Sequence, residues 1–266
     1  MSDLGHNHSE NFFSSWHLMP EAVLPVLLAA LAYWRISRAR AKALPRASHL
    51  TFYFGLLSVV AVTITPIGAN ATQLFWCHMI QHMVLMMVSG PLLVLGTVDL
   101  IRPNWQWRSQ RLAAIWEYAT NPWFTWFAYA ALIIGVHFTQ LHEILMGQIW
   151  VHRLVEIPAY LIVAYLFYFN ILDRNNPKRR ISPAIAIFML FFMMVPETLT
   201  GFFIYASPHS LYQDMFTLND QRLGGALMWS GSMIIDAIWL AIAVSDWLKD
   251  DERRSREIDE DIARGK

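Results

Sequence analysis

Long apolar stretches alternate with short polar segments along almost the whole 266-residue chain. A bilayer core needs about 20 mostly apolar residues per helix. Seven stretches meet this need: 18–35, 50–68, 74–97, 122–141, 150–172, 183–206 and 222–246. The pattern predicts an all-α fold, a polytopic membrane helical bundle with seven transmembrane helices. It divides the chain into a short outer N-terminal segment 1–17, a transmembrane domain 18–246 and a charged cytoplasmic tail 247–266.

Composition supports this class of protein. The chain is 56% hydrophobic and only 15% charged, and its formal net charge is zero, whereas soluble domains are typically about 25% charged. These values exclude a disordered chain and a basic nucleic-acid-binding protein, and a single cysteine excludes a disulfide scaffold. We therefore expect the lipid bilayer as a partner and no nucleic acid.

The basic residues are distributed unequally between the two ends of the predicted helices. The four segments that hold 18 of the 20 lysines and arginines are 35–49, 98–121, 173–182 and 247–266. Only Arg153 and Arg222 lie at the opposite ends. Because basic residues favour the cytoplasmic side, we expect the N-terminus outside and the C-terminus in the cytoplasm.

Histidines are distributed in the opposite sense. Nine of the ten are expected on or near the outer side, and His49 is the exception. At about 1.5 Å of rise per residue, His78, His82, His137 and His152 lie in the outer halves of three predicted spans. Ionisable side chains are costly inside a membrane and mark functional sites there, so this layer is the candidate site.

The spacing of these residues indicates a metal site. His78 and His82 are four residues apart, as are His152 and Glu156, so each pair shares one helix face. Two histidines at this spacing can bind one metal ion, and thioethers beside imidazoles suit copper. The predicted ligands of a copper ion are His78, His82, His137, His152 and Glu156. The possible auxiliary groups are Met79, Met83, Glu197 and Asp236.

Each of these features also has a purely structural interpretation. An intramembrane histidine can serve only to hydrogen-bond a neighbouring helix, and methionines commonly fill gaps between helices. In the last span, the pair Gly224–Gly225 predicts close helix packing. Helical spacing then places Gly225, Met228 or Trp229, Ser232 and Asp236 on a face directed into the bundle.

The chain contains no recognisable catalytic motif, so we do not expect an enzyme. His142 and Glu143 begin a zinc-protease-like HExxH string, but Met146 occupies the second histidine position. Three alternatives stay open. They are an intramembrane zinc-dependent hydrolase with Glu197 or Asp236 as the base, a heme-binding membrane protein with two axial histidines, and a structural scaffold.

Four blocks of sequence resemble a known family. They are HMIQHMVLMMVSGPLLVLG at 78–96, the polar stretch from His137 to His152, GFFIYASPHSLY at 201–212 and DQRLGGALMW at 220–229. The chain resembles the CtaG family of bacterial cytochrome c oxidase assembly factors, of the seven-helix membrane type. The likeness extends from the third predicted span to the seventh.

The resemblance implies a multi-pass protein of the bacterial plasma (inner) membrane that a heme–copper oxidase needs in order to become active. It also implies delivery of copper, as a chaperone, to oxidase subunits at the outer side of the membrane. Members of the family often carry a second histidine one turn after the position of His152. This chain has Glu156 there, so its ligand set departs from the family's.

Overall fold

A computed structural model of the protein describes residues 12–40, 43–100, 109–138, 141–173, 181–212 and 215–264. Within these ranges the ordered elements are helices, and no strand is present. The side chain of Glu143 lies outside this description, as do His6 and His8 of the N-terminal segment. The same holds for several of the basic residues used above, namely Lys42, Arg102, Arg108, Arg174, Lys178, Arg179, Arg180 and Lys266.

Ten helices follow one another in the described parts of the chain. They are α1 (Pro20–Arg38), α2 (Arg46–Ile64), α3 (Pro66–Asn70), α4 (Phe75–Thr97), α5 (Gln110–Ala119), α6 (Pro122–Phe138), α7 (Leu141–Gly147), α8 (Ile149–Leu172), α9 (Pro183–Ala206) and α10 (Leu218–Ala263). Proline begins α1, α3, α6 and α9. Its fixed φ suits the first turn of a helix, where its missing N–H is not needed.

The helices identify a membrane protein. Among the described residues, α2, α4, α8, α9 and α10 are each long and apolar enough to cross a bilayer. Helix α6 is apolar but has only 17 residues. Helix α1 has 19 residues, carries Glu21, Arg35 and Arg38, and is not among the five. Helices thus cover most of the described residues of all seven predicted segments, and seven spans stay a prediction.

The last helix joins two regions that the sequence analysis separates. Helix α10 is continuous over 46 residues, about 69 Å at 1.5 Å per residue. Its second part, the predicted charged tail, is exposed. There Arg256 binds Glu252 at 2.5 Å, and Arg264 binds Glu260 at 2.9 Å. Such pairs one turn apart support a helix that has no packing partner.

Glycines allow α9 and α10 to approach closely. A Cβ atom on Gly225 would lie 2.6 Å from the backbone nitrogen of Tyr205, and one on Gly201 would lie 2.5 Å from that of Trp229. Neither space admits a larger residue. The predicted close packing at Gly225 is therefore confirmed.

The buried face of α10 also agrees with the prediction. Met228, Ser232 and Asp236 are buried, whereas Trp229 is only half-buried. The face therefore follows Met228 rather than Trp229 and is directed into the bundle.

Two helices contain a wide turn of π-helix. In α4 it spans Leu85–Ser89, and in α8 it spans His152–Glu156. Such turns are rare and occur frequently at functional sites. The indole N–H of Trp239 donates to the backbone oxygen of Met87 at 2.8 Å, inside the first of them. The sequence pattern does not predict either turn.

Candidate metal centre

Five buried histidines gather at the end of the bundle where α4, α8 and α10 begin and α6 and α9 end, here called the histidine end. This histidine cluster consists of His78, His82, His137, His142 and His152. Each of the five is at most 2% exposed. The four predicted histidine ligands therefore lie together, and a fifth histidine, His142, lies with them.

His78 lies at the centre of the cluster. Its ring centroid is 5.3 Å from that of His82, 6.1 Å from His137, 5.5 Å from His142 and 5.8 Å from His152. The rings come from α4, α6, α7 and α8. Three consecutive helices, together with the distant α4, thus direct their imidazoles to one place.

Many of the ring nitrogens have no hydrogen-bond partner. Among the described residues, six buried nitrogens of the cluster are unpartnered: both of His78, both of His142, Nε2 of His137 and Nε2 of His152. A buried polar atom without a partner costs about 1–3 kcal/mol. A cluster that retains six such atoms has the donor set of a cation site.

Two of the histidines are oriented by their second nitrogen. Nδ1 of His137 donates to the backbone oxygen of Ile133 at 2.7 Å, and Nδ1 of His152 donates to Oε2 of Glu156 at 2.6 Å. Because these acceptors require the proton on Nδ1, the lone pair of each ring lies on Nε2. Metal-binding histidines typically have this arrangement.

Glu156 orients the ring of His152 and is itself a possible metal ligand. It accepts from His152, and its Oε1 accepts the hydroxyl of Tyr160 at 3.1 Å. The same Oε1 lies 3.6 Å from Nε2 of His78. Glu156 thus holds His152 in position and stays within reach of His78.

The ligand atoms form two groups that share His78. In one group, atoms of His78, His82 and His137 all lie within 4.8 Å of one another, and in the other, atoms of His78, His152 and Glu156 do so. Three donors at such separations surround a point that can bind one cation. The residues present therefore fit a metal ion, and they bring together all five predicted ligands.

The predicted auxiliary residues divide between two places. Sδ of Met79 lies 3.1 Å from Nε2 of His82, at the cluster itself. Glu197 does not join the cluster. Its buried carboxyl interacts with that of Asp236 and with the Tyr129 hydroxyl. We call Glu197 and Asp236 the acid pair.

Aromatic side chains close the histidine end. The ring of Tyr212 lies 4.2 Å from that of His142 and 4.7 Å from that of Phe75, and Phe216 lies 6.0 Å from His142. The Tyr212 hydroxyl donates to the backbone oxygen of His137 at 3.3 Å. Burial, with the neighbouring imidazoles of His137 and His152, lowers the pKa of His142 to about 3. His142 is therefore neutral at pH 7, as a ligand must be.

The start of α10 positions α4 and hence His78. The N-cap residue of α4 provides no side-chain hydrogen bond. Instead, the carboxylate of Asp220 accepts the backbone N–H groups of Phe75 at 2.7 Å and of Trp76 at 3.2 Å. This contact satisfies two N–H groups that the helix itself leaves free. The register of α4 against α10 is thereby fixed one turn from His78.

Gln221, the residue after Asp220, holds the segment that carries the aromatic cover, Tyr212 and Phe216, in place. The buried amide of Gln221 donates to the backbone oxygen of Ile204 at 3.1 Å and accepts the N–H of Leu211 at 2.7 Å. It thus ties the segment before Tyr212 to α9 and α10.

Sequence reasoning missed His142 as a member of the cluster. Together with Glu143 it resembles only the start of an HExxH motif, which Met146 rules out. It also lies beyond the end of a predicted span. The available signal was its place between His137 and His152, on a short connection that must begin and end at the same layer. Only the packing of α7 shows that its ring is directed inward.

These features define a helical membrane protein with a buried, histidine-rich site of metal-ligand type. The chain belongs to the family of cytochrome c oxidase caa3 assembly factors, whose sequence profile matches residues 28–250. The resemblance noted from the sequence is therefore confirmed.

The chain is also similar to uncharacterized mycobacterial proteins. It is 24% identical over 229 residues to one from Mycobacterium leprae (strain TN), covering 75% of this chain and 34% of that protein. It is 26% identical over 255 residues to one from Mycobacterium bovis, covering 85% of this chain and 38% of that protein. The chain thus spans about a third of the length of these relatives. No solved structure matches it significantly.

Proposed function

We propose that this protein is an assembly factor for a heme–copper cytochrome c oxidase that binds copper at the histidine cluster and delivers it to oxidase subunits. Copper is the cargo rather than a permanent cofactor. The family supports the assembly role, in which the chain itself is not an enzyme. The copper step is supported by the donor set of this chain.

One observation carries the proposal. The cluster retains six buried ring nitrogens without partners, at a position where two of its rings are already oriented by hydrogen bonds from Nδ1. A purely structural histidine network would use those nitrogens to join helices. Nitrogens left free at the centre of the cluster support a ligand that arrives from outside.

The proposal places the histidine end at the outer face of the bacterial plasma membrane, in a bundle of seven spans. The segments that hold 18 of the 20 basic residues all connect to the opposite ends of the helices, which supports this orientation. Reporter fusions at the connection 173–182 and at the C-terminus test it. Both should report the cytoplasm, and a reporter active outside the cell at either position would overturn the orientation.

The direct test is the metal content of the purified full-length chain. We expect copper in the wild type and at least a 10-fold loss in the double variant His78→Ala/His137→Ala, because both ligand groups contain His78. The matched control is His17→Ala, which removes an exposed histidine of the same end. Equal copper in the wild type and the double variant would contradict the ligand assignment.

A second function is favoured by one of the two ligand groups. His78, His152 and Glu156 form a two-histidine, one-carboxylate set, which is also a common set for catalytic zinc. An intramembrane zinc-dependent hydrolase would contain zinc instead of copper and would turn over a lipid or an amide. The metal analysis above separates the two functions, and an absorption spectrum without a Soret band excludes heme.

A further inference from the structure

A small cavity lies next to the histidine cluster, deeper in the bundle. Its free volume is about 10 Å³, and it is lined by His82, Met83, Met86, Met87, Met228 and Glu197, among others. We call it the methionine cavity. A space of this size holds about one water molecule or one ion, and it is too small for an organic ligand. His82 borders both the cavity and the cluster.

The four methionines are unusual as packing groups. Met86, Met87 and Met228 are at most 2% exposed, and Met83 is 7% exposed. Methionine is flexible and fills irregular gaps readily. Four thioethers nonetheless surround one small space that holds a carboxyl group and an imidazole at its edges.

The backbone is adapted to the cavity on both sides. Met86 and Met87 belong to the π-helical turn of α4. On α10, a Cβ atom on Gly231 would lie 2.6 Å from Cε of Met83, so this glycine leaves room for the Met83 side chain. The two helices thus present thioethers to the same space.

A carboxyl group lies at the inner side of the cavity. Glu197 is only 2% exposed, and its Oε2 has no hydrogen-bond partner. Its neighbour Asp236 on α10 likewise has a buried, unpartnered Oδ2. An ionised carboxyl at this depth is costly unless it is paired with a cation. A cation among the methionines would provide that pairing.

The donor types indicate which cation. Thioethers and imidazole select soft ions, above all Cu(I), while a carboxylate balances a single positive charge. Met86 lies about 6 Å along α4 from His82, so an ion could pass from one site to the other with His82 as a shared ligand.

We propose that the methionine cavity is a second cation site, selective for a soft monovalent ion such as Cu(I), adjoining the histidine cluster through His82. It extends the proposed function, since it supplies the same copper with a position deeper in the membrane. The two sites differ in donor type, so they are distinguishable by spectroscopy.

The test uses the purified full-length protein in detergent, titrated without oxygen with Cu(I) kept reduced by ascorbate. Stoichiometry and the X-ray absorption spectrum of copper are measured together. We expect two equivalents in the wild type, with both nitrogen and sulfur neighbours. The variant Met86→Leu/Met228→Leu should retain one equivalent and lose most of the sulfur contribution. Leucine has nearly the volume of methionine, so folding is preserved.

The matched control is Met189→Leu/Met193→Leu, which replaces two equally buried methionines of α9 outside the cavity. It should bind like the wild type. Met79 is present in the wild type and in every variant, so it adds the same sulfur contribution to each spectrum. Unchanged stoichiometry and sulfur signal in Met86→Leu/Met228→Leu would overturn the methionine site and leave the histidine site intact. Conversely, a wild type that binds a single equivalent of copper, which Met86→Leu/Met228→Leu loses, would support the methionine site and contradict the histidine one.

Discussion

Buried histidines and buried glutamines both lie at the histidine end, but they differ in their hydrogen bonding. Gln221 uses its amide to bind two backbone groups, and Gln81 donates to the backbone oxygen of Val62 at 2.8 Å. His78, on the same helix as Gln81, makes no hydrogen bond with either nitrogen. The difference separates polar groups that hold helices together from polar groups kept available for a ligand.

The largest expected effect is on metal affinity and concerns His78. The variant His78→Ala should weaken copper binding more than 100-fold, roughly 2.7 kcal/mol, because the residue belongs to both ligand groups. The metal-free protein loses no hydrogen bond of His78, so its stability should fall only by the cost of the cavity that the buried imidazole leaves. Competition titration and thermal unfolding measure the two quantities. If His78→Ala bound copper normally but unfolded at a lower temperature, His78 would be a structural residue like the glutamines rather than a ligand.

The converse is expected for Gln221. In Gln221→Leu the N–H of Leu211 and the oxygen of Ile204 lose their buried partner, which should destabilise the protein by about 2–3 kcal/mol. Copper should still bind to the folded fraction. Unfolding in a mixed-detergent titration provides the measurement. The exposed Gln73→Leu is the control and should lie within about 0.5 kcal/mol of the wild type; an equal effect in both would remove the structural role of Gln221.

A pH effect of about 2 kcal/mol is expected from His142. Its pKa in the folded protein is lowered to about 3 by burial, whereas that of an unfolded histidine is about 6.5. The stability is therefore fully present above pH 6.5 and is lost as the pH falls toward 3, by about 2 kcal/mol between pH 7 and pH 5. In metal-free protein, His142→Phe should be less pH-sensitive by that amount. Identical pH profiles would show that His142 is not buried as described.

The smallest expected effect concerns Asp220, which caps α4 from another helix. Asp220→Ala should destabilise the protein by about 1 kcal/mol, the usual effect of losing a helix cap. Copper affinity should fall as well, since the cap lies one turn from His78. Asp259→Ala, on the exposed end of α10, is the control for loss of charge. If copper affinity were unchanged in Asp220→Ala, the cap would not be what positions His78.

The sequence predicts the helices, and it predicts that histidines of different helices share one layer. Long apolar stretches can satisfy their backbone in lipid only as helices, and the position of each histidine along its helix follows from the rise per residue, as for His78 and His137. The rotation of each helix is a property of packing, however. The π-helical turn at His152–Glu156, the inward direction of His142 and the separation of Glu197 from the cluster all depend on contacts between helices, which no local pattern encodes.

The aromatic cover has a kinetic consequence. Tyr212 and Phe216 pack against His142 over the buried rings, so an ion bound as proposed would leave toward the histidine end by displacing this aromatic cover. Residence time of such an ion would then depend on the opening rate as well as on affinity. A protein that docks on the cover and displaces it would release the ion without any change in the ligands. Dissociation would then be slow before docking and fast after it.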